Sequence, residues 1–243
     1  MIDRDYPGKG KKVGILGVPL GFGAGKRGSG LGTRTIRQAN VRDHSIALPT
    51  FSAIQSHFHY KNEEIGLLWF DAHADMNTPE TSPSGNLHGM PLAHLLGFGL
   101  EQLTDLEGFA PKIKPKYLAH IGARDLDNGE KRLIRELGIN CWTMHEIDRY
   151  GMNYCIEKAL EVVSQAPNGF AVTFDVDALD PMDAPGSGTL VRGGFSYREA
   201  HLALERIAET DKMRSFEIVE VNPMLDTNNR TSELAVELIL SVL

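Results

Sequence analysis

The amino-acid sequence predicts a single α/β domain on a mainly parallel sheet. Short apolar runs, residues 65–70 and 169–174 the clearest, alternate with stretches of helical length, as in strand–helix–strand units. Carboxylates stand where those runs stop, at the edge where open α/β sheets bind ligands. No repeat, low-complexity segment or linker divides the 243 residues, a length sufficient for one large core.

Composition narrows the function classes. A net charge of −7 disfavours nucleic acid as a partner and mildly suits a cationic substrate. Cys141 and Cys155 are too few for a disulfide framework, so a reducing, cytoplasmic setting is expected. No apolar run approaches membrane-spanning length, and the first residues lack the apolar core of a signal peptide.

The elements follow in order. Residues 12–18 form the first predicted strand, leading into a glycine-rich loop over 19–30. A phosphate loop is excluded there, because that motif needs Gly at 20 and Ser or Thr at 27, where Leu20 and Arg27 stand. Residues 32–39 read as a short helix. Asp43, His44 and Ser45 then form a turn opening a helix towards His59, with no strand signal before it. His44 is therefore a ligand candidate without an evident scaffold. His57 and His59 read as surface residues on a polar helix end. Residues 65–70 are a strand, 90–96 a helix into which His94 packs, and 116–121 a further strand. The next helix runs to Leu137, another covers 153–166, and residues 169–174 are a strand. Ser196 and Glu199 form a capping box for a helix through Thr210. A strand over 213–221 and a helix over 232–243 complete the chain.

Two strand ends carry the chemistry. Asp71, His73 and Asp75 alternate after the first run, and Asp175 and Asp177 after the second. Alternation along extended backbone places such residues on one side. These types also serve as turn formers, but two acidic strand ends in one domain want cations between them. Carboxylate with imidazole and no thiolate suits Mn, Zn or Fe. Five candidates exceed one tetrahedral ion and suit a bridged pair about 3.5–4 Å apart, which lowers the pKa of a shared water.

Other polar groups surround this centre. Asn77, Ser84 and Asn86 crowd the following loop, either as turn formers or as a cradle for an amino-acid head group. Asp127 and Glu130, with Asp125, follow the strand over 116–121 and suit either substrate contact or helix capping. His88 is a candidate proton shuttle. Glu220, at the end of the last strand, is placed to accept hydrogen bonds from a guanidinium in bidentate fashion.

Four motifs in order then resemble the ureohydrolase superfamily, and the arginase family within it. They are Asp71-Ala-His-Ala-Asp75, Ser84-Gly-Asn-Leu-His-Gly89, Phe174-Asp-Val-Asp177 and Glu220-Val-Asn-Pro223. The likeness covers nearly the whole chain, and the ending after Glu220 looks like the bacterial form. The resemblance implies a three-layer α/β/α sandwich, usually a trimer or hexamer, that hydrolyses L-arginine to L-ornithine and urea with two Mn2+. It implies His44, Asp71, Asp75 and Asp175 for one ion and Asp71, His73, Asp175 and Asp177 for the other, with Asp71 and Asp175 bridging. It further implies that Asn77, Ser84, Asn86 and Asp127 recognise the amino-acid head group, and that Glu130 and Thr189 line the pocket. His88 matches the proton shuttle and Glu220 the guanidinium acceptor.

One stretch departs from the family. Arginases set the first ligand in Gly-Gly-Asp-His-Ser at a strand's end, whereas Val41-Arg42-Asp43-His44-Ser45 here follows the 32–39 helix almost directly. At least a β-α-β unit, roughly 30 residues, is missing, so fewer strands are expected. The sequence leaves open whether His44, without its strand, reaches the metal, and losing this ligand would weaken the first ion most. Two alternatives stand beside the main reading: another ureohydrolase, such as an agmatinase or guanidino-acid hydrolase, and a shortened, non-catalytic family member with impaired metal binding.

Overall fold

The computed structural model describes residues 43–243. The strand expected over 12–18, the glycine-rich loop, the helix over 32–39 and Arg42 lie outside them. Strands β1 (Gly66–Phe70), β2 (Leu118–Ile121), β3 (Asn140–Trp142), β4 (Phe170–Asp175) and β5 (Met213–Val219) form one sheet in the order β3-β2-β1-β4-β5. Every pairing is parallel. From β1 the chain steps outward through β2 to β3, then returns to place β4 on the other side of β1. Connections leaving β1 and β4 therefore diverge, and a crevice opens at the carboxyl ends of this pair. The Asp71–His73–Asp75 triplet and the Asp175–Asp177 pair both lie there.

Alternation along the strands builds two cores. Leu67, Trp69, Leu118 and Ala171 face one layer, with Leu48 and Phe51 of α1 (Ala47–His59) and Leu92 and Leu95 of α2 (Pro91–Leu95). The short helix α3 (Glu101–Thr104) follows α2, and α4 (Asn128–Leu137) packs Leu133, Ile134 and Leu137 on the same core. Leu68, Phe70, Val172, Phe174 and Ile218 face the opposite layer. That layer contains α5 (Met144–Tyr150), α6 (Met152–Val163), α7 (Tyr197–Glu209) and α8 (Arg230–Val242), through residues such as Ile147, Ile156, Leu204 and Leu238. Each fully buried Leu or Phe contributes about 2 kcal/mol. The expected three-layer sandwich is what the chain forms.

The local signals explain most boundaries. Ser196 and Glu199 make the reciprocal cap of α7, and Gly138 ends α4 in a left-handed turn at φ 64. β3, α3 and α5 were not predicted. β3 is a three-residue edge strand whose residues are only half-buried, so no apolar run marks it. His57 and His59 are exposed, as expected, and His94 is buried with Nδ1 2.8 Å from the Met90 carbonyl oxygen. Among the described residues, no helix is long and apolar enough to cross a membrane.

Candidate metal centre

The alternating spacing at each strand end is first a turn and then a site. Asp71 Oδ1 accepts from the His73 amide at 2.8 Å, and Asp175 Oδ1 from the Asp177 amide at 2.8 Å. One oxygen of each aspartate thus closes the chain reversal at its strand's end. The other is directed elsewhere: Asp71 Oδ2 lies 3.0 Å from His44 Nδ1, and Asp175 Oδ2 lies 3.1 Å from the same atom. Turn former and ligand candidate are one residue in both cases.

Asp75 and Glu220 adopt left-handed backbone, at φ 54 and φ 63. Such a conformation costs a non-glycine residue about 1–3 kcal/mol and persists where its surroundings impose it. At Asp75 the reversal directs the carbonyl onto the Leu92 and Ala93 amides, at 3.0 and 3.2 Å, and Oδ2 reaches 3.1 Å from His44 Nδ1.

These contacts bring His44, whose reach the sequence left open, to the carboxylates. His44 opens a 3-10 turn over His44–Ile46, capped by Asp43, whose Oδ1 accepts from the Ser45 amide and hydroxyl. Its ring stacks on Trp69 with centroids 4.3 Å apart, and Nε2 lies 3.1 Å from Thr173 Oγ1. Its amide donates to Glu220 Oε1 at 2.8 Å. Groups from β1, β4 and the end of β5 hold the imidazole from outside its own segment.

Two groups of side chains here could hold metal ions: His44, Asp71 and Asp75, and Asp71, His73 and Asp177. Asp71 belongs to both, with Oδ2 towards His44 and Oδ1 3.3 Å from His73 Nδ1; Asp177 Oδ2 also lies 3.3 Å from that nitrogen. In an octahedral shell of about 2.1 Å radius, neighbouring donor atoms stand about 3.0 Å apart. The separations of 3.0–3.3 Å therefore match donors arranged as around divalent ions. His44 Nδ1 and Asp75 Oδ2 are buried and make no aligned hydrogen bond, despite their close neighbours. The residues present fit divalent ions.

The electrostatics agree. Burial opposes charge on His73, but the carboxylates of Asp177 and Asp71 push its pKa up to about 12. Burial likewise opposes charge on His44, and Asp75, Asp175 and Asp71 more than reverse it. Burial, then the charge of Asp71, pushes Asp75 up to about 8. Asp175 is raised by burial and by Asp177 and Asp71, and Glu220 is pushed up to about 8 by burial and Asp43. Without metal, protons occupy this cluster in place of cations.

The surrounding residues separate into two sets. Glu130 spends Oε1 on the Met76 amide, at 3.1 Å, and Oε2 on the Asp127 amide, at 2.8 Å, fastening the first triplet's strap to α4. Asn77 Nδ2 donates to Asp127 Oδ2 at 2.8 Å, and Thr189 Oγ1 donates to Asp177 Oδ2 at 2.7 Å. Ser84 is exposed, its Oγ accepting from the Asn86 amide at 3.2 Å. His88 is half-buried in a 3-10 turn over Leu87–Gly89, where burial lowers its pKa.

Trp69, Thr173 and His120 were not singled out from the sequence. Trp69 Nε1 donates to Asp71 Oδ2 at 3.1 Å, and His120 Nε2 lies 2.7 Å from the His73 carbonyl oxygen. Trp69 pairs in register with His120 on one side and Thr173 on the other, so the three form a row beneath the centre. Their signal was available: Trp69 and Thr173 precede Asp71 and Asp175 by two, the period of one strand face.

The comparisons with known proteins point one way. Residues 43–243 match the model of the Arginase family. The arginase of Bacillus subtilis (strain 168) is 53% identical over 201 residues, covering 83% of this chain and 66% of that protein. The chain thus spans 66%, just under two thirds, of that relative's length. A crystal structure of arginase from Bacillus subtilis superimposes with a TM-score of 0.90 at 40% identity, over 96% of this chain and 98% of the other. An Entamoeba histolytica arginase solved in complex with L-ornithine gives a TM-score of 0.86 at 28% identity, over 93% and 95% of the two chains.

Proposed function

This chain belongs to the arginase family, and from that premise we propose that it hydrolyses L-arginine to L-ornithine and urea with two Mn2+ ions. The observation that carries the reading is Asp71, whose two oxygens face two separate imidazoles within two adjoining ligand groups. His44, Asp71, Asp75 and Asp175 would hold one ion, and Asp71, His73, Asp175 and Asp177 the other. When bound, the ions acidify a water so that a nucleophile is available at neutral pH beside an electrophilic carbon.

The chain's own residues supply the rest. A guanidinium stays protonated at any working pH. Glu220 accepts its N–H groups with Oε2 and the remaining lone pair of Oε1, the first being taken by the His44 amide. Asn77, Ser84, Asn86 and Asp127 recognise the α-amino and α-carboxylate groups, with Glu130 and Thr189 setting the pocket. Oxygen from water adds to the guanidinium carbon, and the bond to ornithine's side-chain nitrogen breaks. That nitrogen leaves only with a proton, which His88 delivers.

Urea release from L-arginine, agmatine and guanidinobutyrate, measured with Mn2+ present, tests the proposal. Preference for arginine supports it, and preference for a substrate without the α-carboxylate contradicts the roles of Ser84 and Asn86. No urea from any of the three, with metal bound, would leave a non-catalytic family member.

A further inference from the structure

Arg124 stands on the loop after β2, beyond the residues given roles above. Its backbone amide donates to the Ala72 carbonyl oxygen at 2.8 Å, between Asp71 and His73 of the first triplet. Its side chain is turned to the Asp175–Asp177 strand end. Nη2 donates to the carbonyl oxygens of Asp177 at 2.6 Å, Val191 at 2.8 Å and Leu179 at 3.2 Å. Nη1 donates to those of Ala178 at 3.2 Å and Gly122 at 3.3 Å, and Nε to that of Arg192 at 3.3 Å. Five N–H groups meet six acceptors, so the donor capacity of the guanidinium is fully used.

Five of these six acceptors, all but Gly122 on Arg124's own loop, belong to the segments carrying Asp177 and Thr189. Thr189 Oγ1 donates to Asp177 Oδ2 at 2.7 Å, so the two segments converge on one carboxylate. The Ala72 amide also approaches Asp177 Oδ1, at 3.3 Å. A single residue thus ties the backbone of both ligand-bearing strand ends.

We propose that Arg124 is the positioning residue that sets Asp177 against Asp71 and His73, and so determines occupancy of the second metal position. The inference rests on the two-metal reading above. Ligand constellations need placement to within about 0.5 Å, and outer partners of metal ligands typically account for about 10–100-fold in affinity. Lysine offers three donors from one point instead of a planar fork, and cannot reach this set of carbonyls.

Charge and positioning make opposite demands, which is what the test uses. Asp177, Asp71 and Asp175 all lie within range of the Arg124 charge. A cation beside a dication site repels the ion, so charge alone would make Arg124→Gln bind Mn2+ more tightly and leave Arg124→Lys unchanged. Positioning makes both variants bind the second Mn2+ about 10–100-fold more weakly. Calorimetric titration of the metal-free full chain with Mn2+ alone reads the affinities. Electron paramagnetic resonance at two equivalents reads the pair: a spin-coupled spectrum for the wild type, and an isolated six-line signal plus free Mn2+ for both variants. Metal-free melting temperatures of the variants are expected within a few degrees of wild type. Either variant keeping wild-type affinity and the coupled spectrum overturns the inference. So does tighter binding by Arg124→Gln, or collapse of the metal-free fold in both. A wild type that binds no Mn2+ at all overturns the two-metal reading itself, and the inference with it.

Discussion

Thr173→Val separates the scaffold of His44 from its ligating atom. Thr173 and His44 are 2% and 1% exposed, so water cannot step in when the hydrogen bond between them is removed. Whether Nδ1 is given to a metal ion or holds a proton among the carboxylates, Nε2 carries a proton that it can donate to Thr173 Oγ1, 3.1 Å away. Valine fills the same volume and accepts nothing. The stranded N–H costs about 1–3 kcal/mol, and at about 2–4 °C per kcal/mol for a domain of this size the melting temperature falls by about 2–12 °C. The effect on metal is larger in ratio, about 10–100-fold in affinity at the His44 position, because the imidazole loses its fixed orientation. Thr173→Ser is the control: it keeps the hydroxyl and loses a methyl, about 0.8 kcal/mol. The expected order for stability and Mn2+ affinity is wild type, then serine, then valine. Thermal melts with and without Mn2+, together with calorimetric titration, read that order. Serine below valine on both scales would refute the reasoning, since the methyl rather than the hydroxyl would then be holding the site.

Asp71→Ala is expected to abolish retention of both ions, because Asp71 belongs to both ligand groups, whereas Asp75→Ala removes a ligand of the His44 group alone. Metal analysis after dialysis should therefore give about none and about one Mn2+ per chain, and equal contents would contradict the sharing. His88→Asn should keep both ions and lose about 10²–10⁴-fold in turnover, read by urea release at saturating arginine. Metal binding should release protons, since His73 is pushed up to about 12 and Asp75 to about 8 in the metal-free protein. Low pH fills these groups with protons that compete with the cation, so Mn2+ affinity should rise with pH through the range around 8. Titrations in buffers of different ionisation heat measure the protons directly, and a result of zero would rule out the displacement.

Much of the centre was legible from local pattern. An apolar run ending in alternating carboxylates specifies a strand and one shared side, because extended backbone has a period of two. Asp71, His73, Asp175 and Asp177 could be read that way without tertiary information. Capping chemistry located α7 from Ser196 and Glu199 in the same fashion. β3 left no comparable trace, since a half-buried edge strand needs no apolar run. α5 did carry one, the capping box of Thr143 and Glu146, though it was not singled out from the sequence.

His44 shows where local reading stops. Nothing in residues 43–59 indicates that its imidazole reaches the carboxylates, because what holds it comes from elsewhere: the Trp69 ring on β1, the Thr173 hydroxyl on β4 and the Glu220 carboxylate after β5. Arg124 likewise reads as one basic residue in a polar loop until its six carbonyl partners are brought around it. The sequence by itself determined which side chains can bind a cation and on which strand ends they stand, because covalent spacing sets both. Only the tertiary structure decided how far apart those ends lie and which oxygen of each aspartate is left to bind, because strand order and contacts between distant segments set those.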